Sequence, residues 1–512
     1  MSDLLCLDGS GLTCEEVEAV ARRGVTVRIA PEALGVIARG RDALERIVRG
    51  GTAHYGVNTG FGSLSRTRIS DGEIRNLQVN LVRSHAAGVG APLPADVVRA
   101  MMVVLAASLT RGMSGVRPVV VETLVAMLNA GIVPRVPEVG SVGASGDLAP
   151  LAHVALALTG EGEAAIVRDG DAPTGPRWEP SAAVLERAGI APVNLEAKEG
   201  LALINGTHLM AGWGALLCSD AARLFDAALA ATAMSIDACR GTDVFLDPRV
   251  YVARAQPGPA AVASRLAQLL LGSEIITSHR ENDARVQDPY CLRCAAIVAG
   301  AAVDAIEYVR TAVTRELAAV TDNPLLLDGR DLVSAGNFHG MPVALPLDVL
   351  TMAVAHVAGI SERRTYFMLA ASAPEMELSP YLSPKPGLHS GLMIAQYTAA
   401  ACCNEIVGLS TPASVANIPT SAGMEDYNSF GPRAAAKAAR AIELACRVVA
   451  IELMCGAQGI DLHRPLRSGH GVEQSHAIVR SRVAALVEDR PLSADIETLA
   501  SMIATGAWAV PA

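Results

Sequence analysis

From Val303 onward, apolar residues return at every third or fourth position, at Ile306, Val309, Val313, Leu317 and Val320, with Asp304, Glu307, Arg310 and Arg315 between them. That spacing lays an apolar stripe along one face of a helix. The helix is predicted to stop at Asp322-Asn323-Pro324, because proline disfavours helical geometry in the residue before it. A second stripe runs through Ile442, Cys446, Val449 and Leu453, with Lys437, Arg440, Glu443 and Arg447 on other faces. Further helices are predicted from Val98 to Ser108 and from Asp348 to Met368. The apolar run from Val343 to Ile360 is broken by Pro346, Asp348 and His356, so it reads as a helix buried in protein and not as a membrane span. Strand-like stretches are scarce, the clearest being Val25 to Ile29 and Glu163 to Arg168, and no repeat of 20 to 50 residues is visible. The fold class is therefore mainly α.

Glycine and proline gather between these stretches, at 51–62, 134–150, 169–180 and 380–386. Loops of this kind on a rigid helical scaffold are where chemistry is expected. The segment from Asp169 to Pro180 reads as a surface excursion and a candidate boundary. The expected division is an N-terminal domain over 1–200, carrying the loops, and a helical part over 201–512.

Composition supports the helical reading. Hydrophobic residues make up 51% of the 512 and charged residues 18%, enough apolar surface to offset the entropy of ordering the chain. Aromatic residues are only 3%, so the core is built from small and aliphatic side chains, which suits close helix packing. The formal charge of -10, with no block of lysine or arginine, gives a polyanion little to hold, so no nucleic-acid partner is expected. The N-terminal residues show no basic segment followed by an apolar one, and ten cysteines are too few for a disulfide scaffold, so the expected setting is the cytoplasm. The pair Cys291 and Cys294 lacks a second metal-binding pair nearby, so neither a metal nor redox chemistry is expected there.

Gly140 to Pro150 places three glycines within seven residues and then opens an apolar run from Leu151 to Leu158. An anion-binding loop is one reading, weakened by the absence of a phosphate-loop lysine. A covalent reading is the other. In a tight turn the amide nitrogen of Gly146 can attack the carbonyl of Ala144, and loss of water from Ser145 then leaves an electrophilic exocyclic methylene.

The run Ala144-Ser145-Gly146-Asp147-Leu148-Ala149-Pro150 resembles the signature of the aromatic amino acid ammonia-lyases, in which Ala-Ser-Gly cyclises to 4-methylideneimidazol-5-one (MIO). The resemblance extends from about Tyr55 to about Arg490. It implies a large bundle of long helices of the fumarase/aspartase superfamily type, with a loop-rich N-terminal active-site domain. It also implies a homotetramer whose active sites draw residues from more than one subunit, with MIO as the only cofactor and no metal or membrane.

By the same resemblance the loop from Tyr55 through Asn58 to Gly62 places the catalytic base on Tyr55, and Asn205, in the run Leu203 to Thr207, lies beside the MIO. A tyrosine serves as base only where nearby dipoles or cations stabilise its phenolate. Gln287, Tyr290 and Arg293 resemble a helix start that binds substrate, with Arg293 taking the carboxylate. A planar guanidinium suits that task because it holds a carboxylate in bidentate fashion. Phe338, in Gly336 to Gly340, is implied beside the active site.

The implied reaction is an elimination. The amine or ring of an aromatic L-amino acid adds to the MIO methylene, Tyr55 takes a β-proton, and ammonia leaves to give a trans unsaturated acid. Ser84-His85 and the Glu425-Asp426 pair resemble the members acting on histidine, where His85 can hydrogen-bond an imidazole and Glu425 can pair with it. Met424 and Tyr427 depart from that pattern, which leaves phenylalanine and tyrosine as alternative substrates; a 2,3-aminomutase that returns the ammonia to the β-carbon is a separate alternative within the family. The fumarase and aspartase enzymes themselves are a competing reading, but they use a Gly-Ser-Ser loop and this sequence contains none.

Overall fold

In a computed structural model the described residues are 4–50, 54–60, 68–167, 176–281 and 283–509. Long helices dominate them: His208–Ala238, Ala295–Leu317, Met341–Ala370, Met393–Leu409 and Gly431–Leu462. The predicted helix from Val98 to Ser108 is Ala95–Leu109, and the one carrying Ile442 to Leu453 is Gly431–Leu462. Two boundaries differ from the expectation. The helix through Val303 ends at Leu317, short of Asp322, because Asp322 and Asn323 turn inward and are buried in polar contacts. The helix expected from Asp348 begins at Met341 and accommodates Pro346 in its second turn. Among the described residues this helix is the one long and apolar enough to cross a membrane, and 61% of its apolar window is buried within the protein.

Strands are short. Leu4–Leu7 pairs in parallel with Thr26–Ile29, joined through the helix Cys14–Arg23. That helix starts at a reciprocal cap, in which Glu16 N–H donates to Thr13 Oγ1 and Thr13 N–H donates to the Glu16 carboxylate. Ile132–Pro134, Glu163–Ile166 and Glu179–Pro180 form a three-stranded antiparallel sheet. The expected excursion from Asp169 to Pro180 thus ends in a strand, while its positions up to 175 lie outside the described residues, as does Arg168. A hairpin pairs Leu325–Leu327 with Asp331–Val333.

The chain forms two compact units. Unit 1 takes 1–219, 309–347 and 412–436, and unit 2 takes 220–308, 348–411 and 437–512. The division expected at residue 200 is a contiguous one, whereas each unit gathers three stretches, because distant parts of the sequence complete each core. In unit 1, Ala95–Leu109 is buried from Val97 to Leu109 and packs on Cys14–Arg23.

Unit 2 encloses a charged cluster within its apolar core. Arg364 Nε and Nη2 donate to the Glu452 carboxylate at 2.5 and 2.9 Å, and Ser235 Oγ donates to Glu452 at 2.6 Å. Both charged side chains are essentially inaccessible. An ion taken out of water is tolerated only while its partner remains. Arg364→Met is therefore expected to lower unfolding free energy by about 3–5 kcal/mol, with Arg364→Met/Glu452→Met recovering most of it. Urea unfolding of both variants checks this, and a loss under about 1 kcal/mol in the single variant would contradict the pairing argument.

Candidate active site

The loop before the helix Leu148–Leu158 is held by backbone contacts. Gly206 N–H donates to Ser145 O at 3.2 Å, and Asp147 N–H donates to Gly206 O at 2.7 Å. Gly146 stands between them at φ +71°, a left-handed conformation that favours glycine. A Cβ there would lie 2.0 Å from Gly206 O, so residue 146 carries no side chain for reasons of space as well as conformation. Farther up the loop, Ser429 Oγ donates to Gly143 O at 3.1 Å.

Asp147 anchors the turn from below. Its Oδ2 accepts N–H bonds from Leu209 at 2.9 Å and Met210 at 3.1 Å, in the first turn of His208–Ala238, where unsatisfied amides favour negative charge. Complete burial nevertheless dominates, and the carboxyl is pushed up to about 7. In the sequence Asp147 stands out only as part of the motif Ala144 to Pro150.

Ser145 opens into a cleft of about 830 Å³ within unit 1. Tyr55, His85, Asn205, Phe338 and Glu425 line the same cleft, so five of the residues assigned from sequence converge on Ser145. Ala144 is buried beneath it. Tyr55 begins the turn at 55–58, and the rest of its motif, Phe61 and Gly62, lies outside the described residues.

His85 closes the helix Ile74–His85. Its Nδ1 lies 2.8 Å from Leu81 O, and since a carbonyl can only accept, Nδ1 carries a proton, which in the uncharged tautomer leaves Nε2 as the acceptor. Glu425 follows a tight turn in which Ser421 and Ala422 adopt φ of 50° and 54°. Non-glycine residues held there carry about 1–3 kcal/mol of strain each. The turn is closed by Thr420 N–H donating to Glu425 O at 2.8 Å, and Thr420 Oγ1 donates to Glu425 Oε2 at 3.1 Å. Met424 lines the cleft beside Glu425. Tyr427 does not: it stacks on His339, whose Nε2 meets Tyr427 O at 2.9 Å.

Asn205 is fixed by groups that sequence reasoning missed. Its Nδ2 donates to Asn323 O at 3.0 Å and lies 3.4 Å from Asp322 Oδ1. Asp322 Oδ2 accepts from Lys198 Nζ at 2.6 Å, and both side chains are buried. Burial pulls the Lys198 ammonium below its usual range while Asp322 counters that pull. The next residue, Glu199, is buried in a bidentate pair with Arg117 at 2.7 and 2.8 Å. The available signal was Lys198-Glu199 standing directly before the apolar run Gly200 to Ile204.

Gln287, Tyr290 and Arg293 belong to unit 2 and are not among the residues that line the cleft. Arg293 ends the short helix Tyr290–Arg293, donates from Nε to Asp288 O at 2.9 Å, and lies 4.6 Å over the Tyr290 ring. It has no ion pair among the described residues. No group of three or more potential metal ligands occurs among them either.

A sequence profile described as aromatic amino acid lyase matches residues 12–481. The chain belongs to that family. The lyase is 48% identical to a histidine ammonia-lyase of Anaeromyxobacter sp. (strain K), over 98% of this chain and 99% of the relative. Among solved structures, a histidine ammonia-lyase from Trypanosoma cruzi superposes with a TM-score of 0.90 at 38% identity, covering 99% of this chain and 94% of that one. A tyrosine aminomutase from Streptomyces globisporus superposes at 0.91 with 33% identity, covering 98% and 97%. The expected mainly α architecture agrees with these neighbours.

Asp147 has a measurable signature. Its folded-state value of about 7 exceeds the unfolded value of about 3.9, so between them the folded lyase holds a proton that the unfolded chain has lost. Stability from this group is complete below about pH 4 and is lost as pH rises through 7, with a slope of at most about 1.4 kcal/mol per pH unit. Asp147→Asn, which keeps an oxygen acceptor for Leu209 and Met210, is expected to flatten that slope. Urea unfolding of both proteins at pH 5 and pH 7 checks it, and equal slopes would exclude Asp147 as the source.

Proposed function

We propose that this lyase eliminates ammonia from L-histidine without oxidation, giving trans-urocanate. The observation that carries the reading is the convergence of Ser145, Tyr55, His85 and Glu425 on one cleft in a chain 48% identical to a histidine ammonia-lyase.

The residues fit an MIO group formed from Ala144, Ser145 and Gly146. The side-chain-free cradle of Gly146 against Gly206 brings the turn close, and Ser145 lines the cleft. When formed, the group supplies an electrophilic methylene that makes the substrate amine a better leaving group. The remaining work belongs to side chains. His85 Nε2 accepts an imidazole N–H, Glu425 stabilises positive charge on that ring, and Tyr55 removes the β-proton as ammonia departs. Asn205, immobilised by Asn323 and the Lys198–Asp322 pair, lines the wall beside Ser145.

The substrate carboxylate requires a cation, and Arg293 is free of ion pairs among the described residues. In the proposed homotetramer Arg293, with Gln287 and Tyr290, reaches the cleft from a neighbouring subunit. Exposed apolar side chains on the helix Met393–Leu409, among them Ile394, Tyr397 and Val407, support assembly. The ten cysteines are all free, in keeping with a reducing cytoplasm. Met424 favours a second reading, in which an apolar aromatic ring occupies the cleft and the substrate is phenylalanine or tyrosine.

Parallel ultraviolet assays with L-histidine, L-phenylalanine and L-tyrosine are expected to show urocanate from histidine as the dominant product. Dominant cinnamate or coumarate would transfer the assignment to the second reading, and a β-amino acid product would indicate an aminomutase. Ser145→Ala is expected to abolish turnover with its circular dichroism unchanged. The intact mass of the wild-type protein should be lower than the sequence mass by two waters, and a full sequence mass would remove MIO from the mechanism.

A further inference from the structure

Unit 1 contains a second cavity, of about 1070 Å³. Its walls come from the helix Pro31–Arg49, the loop 111–113 and the turn of the hairpin Leu325–Val333. Four arginines line it, Arg39, Arg46, Arg111 and Arg330, against two carboxylates, Asp42 and Asp328, which leaves an excess of two positive charges. None of these six groups has an ion-pair partner among the described residues.

Arg111 is built into the wall. Its Nε donates to Gly9 O at 3.0 Å, Nη2 donates to Ser10 O at 3.1 Å, and Nη1 donates to Ala318 O. Three donors are spent on neutral carbonyls, so the guanidinium is held in place with its charge uncompensated. Burial pushes its pKa down, the response of a cation lacking a counter-ion. The helix is pressed onto the same loop, since a Cβ on Gly40 would lie 2.1 Å from Gly112 O. Val36 and Leu326 add apolar surface. A fixed cation, three further guanidiniums and an apolar patch in one cavity suit an organic anion bearing two charges.

We propose that this cavity binds a small dianion, a phosphate ester or a dicarboxylate, and that its occupancy is felt in the active-site cleft through the hairpin. Asp328, Gly329 and Arg330 at the hairpin turn line the arginine cavity, while Asn323, Ser334 and Ala335 at its base line the cleft. The strands between are in register from Leu325↔Val333 to Leu327↔Asp331. The hairpin is tied at both ends: Leu326 N–H donates to Met113 O at 2.8 Å, and Ala335 N–H donates to Asn323 Oδ1 at 2.7 Å. Asn323 O in turn holds Asn205. A ligand that clamps Arg330 against Arg111 restrains the element that positions the cleft wall.

The test is calorimetric titration of the full-length lyase with pyrophosphate, adenosine monophosphate and glutarate at matched ionic strength. Saturable binding is expected for at least one probe, and the phosphate and dicarboxylate arms identify which class the site takes. Arg46→Gln/Arg330→Gln, which alters two exposed side chains, is expected to weaken that binding at least tenfold. No saturable binding, or equal affinity in the variant, overturns the site. Hydrogen exchange at Leu326 and Ala335 is expected to slow on binding, and unchanged exchange there overturns the coupling. Neither readout depends on which amino acid the lyase consumes.

Discussion

The contact between Gly146 and Gly206 is the constraint on which the site depends. Two backbones approach closely enough that a side chain on residue 146 has no space, and the approach is locked by hydrogen bonds on either side, to Ser145 O and from Asp147 N–H. Gly206 lies between the short helix Glu199–Ile204 and the long helix His208–Ala238. The turn bearing Ser145 is therefore referenced to the two helices that flank Gly206, and its anchor Asp147 draws on the amides of the long helix. Each neighbour of the cleft is then placed relative to that contact. Asn205 is one residue from it, and Asp322 and Asn323 reach Asn205 from the far side.

Much of this was legible in sequence because the governing signals are local. A helical stripe depends on residues three and four apart, and Ala295–Leu317 and Gly431–Leu462 appear where the two stripes predict them, whereas His208–Ala238 and Met393–Leu409 were not anticipated. The Ala144 to Pro150 loop was legible for the same reason, since its glycines and Asp147 act within a few positions of one another. What escaped was long-range. Asp322-Asn323 was read as a helix stop, a correct local inference that says nothing of Lys198, 124 positions away. The division at residue 200 missed that unit 1 recruits 309–347 and 412–436, because pairing of distant segments leaves no periodic trace.

The departures in the segment 421–429 show the same limit. Met424 and Tyr427 looked equivalent in sequence, yet Met424 lines the cleft and Tyr427 stacks on His339 outside it. The strained residues Ser421 and Ala422 reverse the chain so that positions three apart face different surroundings. Of the two departures, Met424 is the one that lines the cleft, and Glu425 stands next to it.

The disposition of charge separates structure from function. Lys198 with Asp322, Glu199 with Arg117, and Glu452 with Arg364 are buried and mutually paired, as removal from water demands. Their partners are internal, so a ligand adds nothing to them. Arg293 and Glu425 are half-buried and have no ion-pair partner among the described residues, although each is oriented by a hydrogen bond, from Nε to Asp288 O and from Thr420 Oγ1 to the carboxylate. A charge that the fold orients but does not neutralise retains its full attraction for an incoming group of opposite sign. By that criterion Arg293 and Glu425 stand apart from the buried pairs, and Arg111, oriented by three carbonyls and neutralised by none, belongs with them.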